Sequence, residues 1–197
     1  MGPKNKDAGE LPPCLSGDRN LVLIGYRATG KTAVGGRLAQ ALARPLVDLD
    51  AALEAEMGRT ITTLVAEKGW AEFRRREKEI VARYSRMGGQ VLATGGGVVL
   101  DPENVALLRK TGVVVWLQAA PNTIRERLSR DRVQEDQRPS LTGGGTLDEV
   151  EEVLKARKPL YAAAAHVVID TTGQSLEQVA EKVMAAVRQY QSSPVDH

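Results

Sequence analysis

A chain of 197 residues that is 42% hydrophobic and only 4% aromatic suits a single domain with an aliphatic core, and excludes global disorder. Its 27 Lys and Arg against 25 Asp and Glu leave no basic excess for a nucleic-acid or membrane-surface binder, and no apolar run is long enough to span a bilayer. The single cysteine, Cys14, cannot form an intramolecular disulfide and fits a reducing compartment, which we take as the cytoplasm.

Residues 1–19 are rich in Gly, Pro and charge and read as a disordered tail. They lack the apolar core of a signal peptide, and Lys6 stands where a myristoylation motif needs Ser or Thr. The domain is expected over 20–190, with 191–197 as a C-terminal tail. Leu21–Ile24 is a continuous apolar run ending in glycine, the pattern of a strand buried on both faces. A helix follows from Lys31 to about Ala43, with Val34, Leu38 and Leu42 on one face. Pro45–Asp50 reads as a second strand ending in carboxylates. A helical stretch from about Ala51 to Arg86 is expected to break near Gly58 and Gly69. Val91–Ala93 is a third strand closed by Gly95-Gly96-Gly97. A short helix over Pro102–Lys110, a strand over Val113–Leu117 and a helix over Pro121–Arg130 come next. Residues 131–146 are polar and Gly-rich and form a long connection. A helix over Leu147–Tyr161, a strand over His166–Ile169 and a helix from Ser175 to about Tyr190 complete the pattern.

Solidly apolar strands alternating with helices call for an α/β fold: a central parallel sheet of about five strands with helices on both faces, three layers in all. Ligands bind such sheets outside the carboxyl ends of the strands. The chemistry-bearing segments all follow a strand or lie in the long connection.

Gly25-Tyr26-Arg27-Ala28-Thr29-Gly30-Lys31-Thr32 matches GxxxxGK[ST] in a strand–loop–helix context. Such a loop turns its backbone N–H groups, here including those of Ala28, Thr29 and Gly30, toward phosphate oxygens, and the helix dipole adds to the attraction. Lys31 then reaches the β- and γ-phosphates and the Thr32 hydroxyl ligates Mg²⁺. Asp48 and Asp50 bracket Leu49 at the end of the second strand, so both carboxylates share one side while Leu49 faces the other. One carboxylate beside a phosphate site can hold Mg²⁺, directly or through water, and the other can orient and deprotonate a hydroxyl. Aspartate at a strand end is also a favoured helix cap.

With the phosphate loop, Asp48-Leu49-Asp50, Glu72-Phe73-Arg74-Arg75-Arg76-Glu77, Ala93-Thr94-Gly95-Gly96-Gly97, Arg138-Pro139 and Arg157-Lys158-Pro159-Leu160-Tyr161 occurring in this order, the chain from about Leu21 to Arg188 resembles the shikimate kinase family of P-loop small-molecule kinases. The resemblance implies transfer of the γ-phosphate of ATP to the 3-hydroxyl of shikimate, giving shikimate 3-phosphate and ADP, in chorismate and aromatic amino-acid biosynthesis. It implies that Asp50 contacts the substrate hydroxyls and serves as base, and that Asp48 supports the Mg²⁺ at Thr32 through water. It implies that Arg74 and Arg157 grip the carboxylate with the Gly96 N–H. By the same resemblance Arg138 swings in with a mobile lid, about 131–146, to neutralise phosphate charge, and Gln174 lies near the adenine. A monomer is expected.

The physics of the parts agrees. Two guanidinium forks fix a planar carboxylate, and phosphoryl transfer is mostly positioning and electrostatics. Arg75 and Arg76 read as a solvated helix face, Arg157 has Glu149 and Glu152 as alternative partners, and the triple glycine also suits an ordinary turn. Ala28 stands where the family usually has glycine, and a methyl group fits there if the local backbone is right-handed. Ser140 stands where leucine is more usual. Asp131, Glu135 and Asp136 make the lid acidic, and Gly143-Gly144-Gly145 makes it look hinged. Arg130 and Arg132 remain alternative neighbours of the adenine. His166 reads as structural and His197 as tail. The competing readings are another P-loop kinase, such as a gluconate kinase, and a non-catalytic nucleotide-binding regulator.

Overall fold

The computed structural model describes residues 17–130 and 150–192. Five strands, β1 (Asn20–Ile24), β2 (Leu46–Asp48), β3 (Val91–Ala93), β4 (Gly112–Gln118) and β5 (Val167–Asp170), form one sheet of order β2-β3-β1-β4-β5. Every pairing is parallel. The described residues form seven α-helices: α1 (Lys31–Leu42), α2 (Leu49–Met57), α3 (Ile61–Met87), α4 (Pro102–Thr111), α5 (Pro121–Arg130), α6 (Val150–Ala164) and α7 (Leu176–Ser192).

Strand alternation sorts the core into two halves. Leu21, Leu23, Val113, Val115 and Leu117 meet Val34, Leu38 and Leu42 of α1 and Val179, Val183 and Val187 of α7. Val22, Ile24, Val114 and Trp116 face the opposite side, against Leu49 and Leu53 of α2, Phe73, Ile80 and Val81 of α3, Leu108 of α4 and Tyr161 of α6. The expected three layers are thus present. A third, smaller cluster joins Tyr26 of the phosphate loop to Ile124 and Leu128 of α5 and Val150 and Val153 of α6. Asn20, fully buried, ties the sheet to α3: its Nδ2 donates to Ser85 O at 2.8 Å and its Oδ1 accepts from Gln90 N at 3.0 Å.

The expected helix breaks fall where foreseen. Gly58, at φ 63°, caps α2, and Gly69, at φ 76°, kinks α3, both in the left-handed region that favours glycine. The second strand is shorter than expected. It ends at Asp48, whose Oδ1 accepts from Asp50 N at 3.1 Å and Ala51 N at 3.2 Å as the N-cap of α2. Asp50 therefore sits in the first turn of a helix, and the expectation that both carboxylates share a strand face is corrected. A capping carboxylate satisfies helix N–H groups that a strand ladder cannot, so the helix begins as soon as one is available.

His166 is structural, as expected. Its Nδ1 accepts from Val114 N at 2.9 Å while its own N–H donates to Val114 O at 2.8 Å, which pins the start of edge strand β5 to β4. Burial, then the charges of Arg109 and Arg19, push its pKa down to about 4. The folded state therefore holds His166 neutral, whereas the unfolded chain takes up a proton near pH 6.5. Its contribution to stability is complete above about pH 6.5 and is lost as pH falls toward 4. Urea midpoints between pH 7 and 4.5 should fall less steeply for His166→Gln, whose carbonyl can accept from Val114 N but cannot protonate; parallel slopes would refute this.

Candidate active site

Every segment singled out from the sequence gathers at the carboxyl ends of the strands, apart from Arg138, which lies outside the described residues. The strand order divides the site. The phosphate loop follows the central β1. Asp48 at the end of β2, Asp50 just after it and the triple glycine after β3 lie on one side, and Thr171 to Gln174 follow β5 on the other.

The loop is shaped from within. Lys31 Nζ donates to Gly25 O at 2.9 Å and Tyr26 O at 2.8 Å, so the lysine arches over its own loop. The buried Thr29 hydroxyl closes it further by donating to Tyr26 O at 2.8 Å. Gly30 caps α1 without any side-chain hydrogen bond, so no side-chain cap competes with a phosphate at that terminus. Thr32 Oγ1 donates to Asp48 Oδ2 at 2.6 Å. One carboxylate thus joins the metal-type hydroxyl through Oδ2 and the backbone of Asp50 through Oδ1.

The triple glycine is fitted around side chains. A β-carbon on Gly97 would lie 2.2 Å from Arg74 Nη2, and one on Gly95 would lie 2.6 Å from Asp50 Oδ1 and 3.1 Å from Glu77 Oε1. Only glycine leaves that space. At Gly96 the nearest atoms, in the phosphate loop, are 3.4 Å from such a carbon, an ordinary contact. Arg74 is fixed from behind by Glu77 Oε2 at 2.5 Å and lies over Phe73, 4.9 Å from the ring centroid. Arg157 is buried and donates to Gly96 O at 3.1 Å, and Tyr161 OH donates to the same oxygen at 2.5 Å. Two guanidinium groups therefore reach adjacent glycines beside Asp50. Glu77 is itself buried. Burial raises its pKa, with Asp50 adding to the rise and Arg74 and Arg157 opposing it.

On the other flank, Ala28, Thr29, Arg127, Arg130, Thr171 and Gln174 line a cleft of about 310 Å³. Arg127 spans it: Nη1 donates to Ala28 O at 3.2 Å and Thr171 Oγ1 at 3.1 Å, and Nη2 donates to Thr171 O at 2.9 Å. The Gln174 amide donates to Asp170 O at 2.6 Å.

A family model described as shikimate kinase matches residues 27–188. The chain belongs to the shikimate kinase family. It is 45% identical over 170 residues to a shikimate kinase of Symbiobacterium thermophilum, covering 86% of this chain and 97% of that one. It superimposes with a TM-score of 0.82, at 31% identity, on shikimate kinase from Acinetobacter baumannii in complex with shikimate, covering 89% of this chain and 96% of that one. A gluconokinase from Sinorhizobium meliloti shares the fold, with a TM-score of 0.53 at 16% identity over 89% of this chain and 98% of that one.

Against the pattern expected of a shikimate kinase, one departure needs correction. Ala28 is not right-handed but sits at φ 59°. Its methyl group packs against the cluster of Tyr26, Ile124, Leu128, Val150 and Val153, which offsets part of the strain. Ala28→Gly should raise stability by about 0.5–1 kcal/mol. A lower urea midpoint would show instead that the methyl packing outweighs the strain.

Sequence reasoning gave no role to Glu77, Arg127 or Tyr161. Glu77 and Tyr161 carry a signal, since they lie three and four residues beyond Arg74 and Arg157 on the same helix faces. Arg127 stands in no motif. Arg130 lines the cleft, and the alternative, Arg132, lies outside the described residues. Arg75 bridges Glu72 and Glu79 on the surface, and Arg76 also pairs with Glu72, as a solvated face would.

Proposed function

We propose that this chain transfers the γ-phosphate of ATP to the 3-hydroxyl of shikimate, giving shikimate 3-phosphate and ADP for chorismate biosynthesis. One observation carries the reading: Arg74 and Arg157 reach the adjacent Gly97 and Gly96 beside Asp50, one strand away from a phosphate loop. Two forks orient a carboxylate, and the carboxylate orients the ring that bears the hydroxyl. Asp50 accepts the hydroxyl proton as the oxygen attacks the γ-phosphorus and ADP departs. Lys31 and the N–H groups of Ala28, Thr29 and Gly30 hold the phosphates, and Arg138 adds positive charge there. Gln174 borders the adenine. The oxygen donors Thr32 and Asp48, 2.6 Å apart, fit Mg²⁺, with Asp48 acting through water. When bound, the ion offsets charge that develops on the phosphate oxygens. The chain works as a cytoplasmic monomer, and among the described residues no helix is long and apolar enough to cross a membrane.

A coupled assay for ADP release with ATP and Mg²⁺ tests this, with shikimate, gluconate or no acceptor. Release that requires shikimate is the expected result. Release with gluconate alone would assign another P-loop kinase activity, and ATP binding without turnover would indicate a regulator.

A further inference from the structure

We propose that Tyr161 is a positioning residue that frees Arg157 to bind the substrate carboxylate, by remaining as the hydrogen-bond donor to Gly96 O when Arg157 turns away. The proposal rests on the carboxylate-binding reading of Arg157. Arg157 and Tyr161 lie four residues apart on α6, so they project from one helix face, and both donate to Gly96 O. A carbonyl oxygen has two lone pairs and can hold both donors at once. The two donors are not equivalent. Tyr161 is fully buried and its ring stacks on Trp116, with centroids 5.6 Å apart and an interplanar angle of 21°. That ring cannot leave without opening the core. Arg157 has a long side chain with five donors and can exchange this contact for another. Burial pushes the Tyr161 hydroxyl up to about 12, so it stays a donor across the working pH range.

The energetic logic follows from what a lost donor costs. If Arg157 alone held Gly96 O, each carboxylate bound would leave that oxygen stripped of its partner, and the substrate would compete with the protein for the guanidinium. With Tyr161 present the exchange leaves no unsatisfied acceptor. Tyr161 also keeps the Gly96–Gly97 peptide from rotating. Because a peptide is planar and trans, the Gly97 N–H is then held facing away from α6.

The test uses the full chain with steady-state kinetics. Tyr161→Phe keeps the ring and its stack and loses one oxygen, so it should fold, which a thermal midpoint checks. It is expected to raise KM for shikimate about five- to tenfold, the size of one hydrogen bond, while KM for ATP and kcat stay within about twofold. In an Arg157→Ala background the same change should alter kcat/KM for shikimate by less than about twofold, since no guanidinium is left to free. The proposal is overturned if Tyr161→Phe acts equally on both substrates or chiefly on kcat. An undiminished effect without Arg157 also overturns it. Absence of shikimate turnover in the unmodified protein would instead remove the functional reading itself.

Discussion

Asp50→Asn is expected to lower kcat by about 10²–10⁴-fold while KM for ATP changes little. Amide and carboxylate have nearly the same shape, so the cap at Asp48 and the packing of Gly95 against residue 50 persist. What disappears is the negative charge that attracts the hydroxyl proton. The proposed nucleotide contacts lie in the loop after β1 and across the β5 side, away from Asp50, so ATP binding has no reason to fail. Turnover close to that of the unmodified protein, with shikimate as acceptor, would mean that Asp50 only shapes the pocket. A parallel collapse of ATP binding would mean that it shapes the phosphate loop as well.

Sheet, layers and phosphate loop were readable because each rests on a local pattern: apolar runs, helical periodicity, and a glycine motif between a strand and a helix. Asp50 shows where such reading stops. Alternation along a strand is sound physics, but Asp48 ended the strand first by capping α2, and one residue type offers both outcomes. The handedness of Ala28 stayed open for a related reason, and the right-handed backbone that would seat its methyl group freely is not the one formed. Alanine avoids φ near 59° unless neighbours compensate, and those neighbours come from α5 and α6, about a hundred residues away in sequence. Glu77 was disguised by its surroundings, because a glutamate among three arginines looks solvated, whereas it is buried with its Oε1 close against Gly95. Arg127 had no motif at all, since what defines it is a span between two loops that sequence does not place together. The triple glycine was legible as a segment, but the distinct tasks of its members were not.

Those tasks make Gly97→Ala the sharper test of the carboxylate site. The added methyl group would stand 2.2 Å from Arg74 Nη2 and 2.7 Å from its Cζ, so the guanidinium must move. The obstruction is the far end of a flexible side chain rather than backbone, so the domain should fold with little loss of stability. Arg74 would then be displaced from the carboxylate while keeping its charge. Loss of a hydrogen bond to a charged group, about 1.5–3 kcal/mol, predicts a roughly 10- to 150-fold fall in kcat/KM for shikimate, carried mainly by KM. Gly96→Ala is the internal control, because its methyl group would meet nothing closer than 3.4 Å. It should cost several-fold less. If both variants lose activity equally, the segment needs glycine for its backbone rather than for Arg74. If Gly97→Ala leaves KM unchanged, Arg74 does not hold the carboxylate, and Arg157 with Gly96 must do so alone.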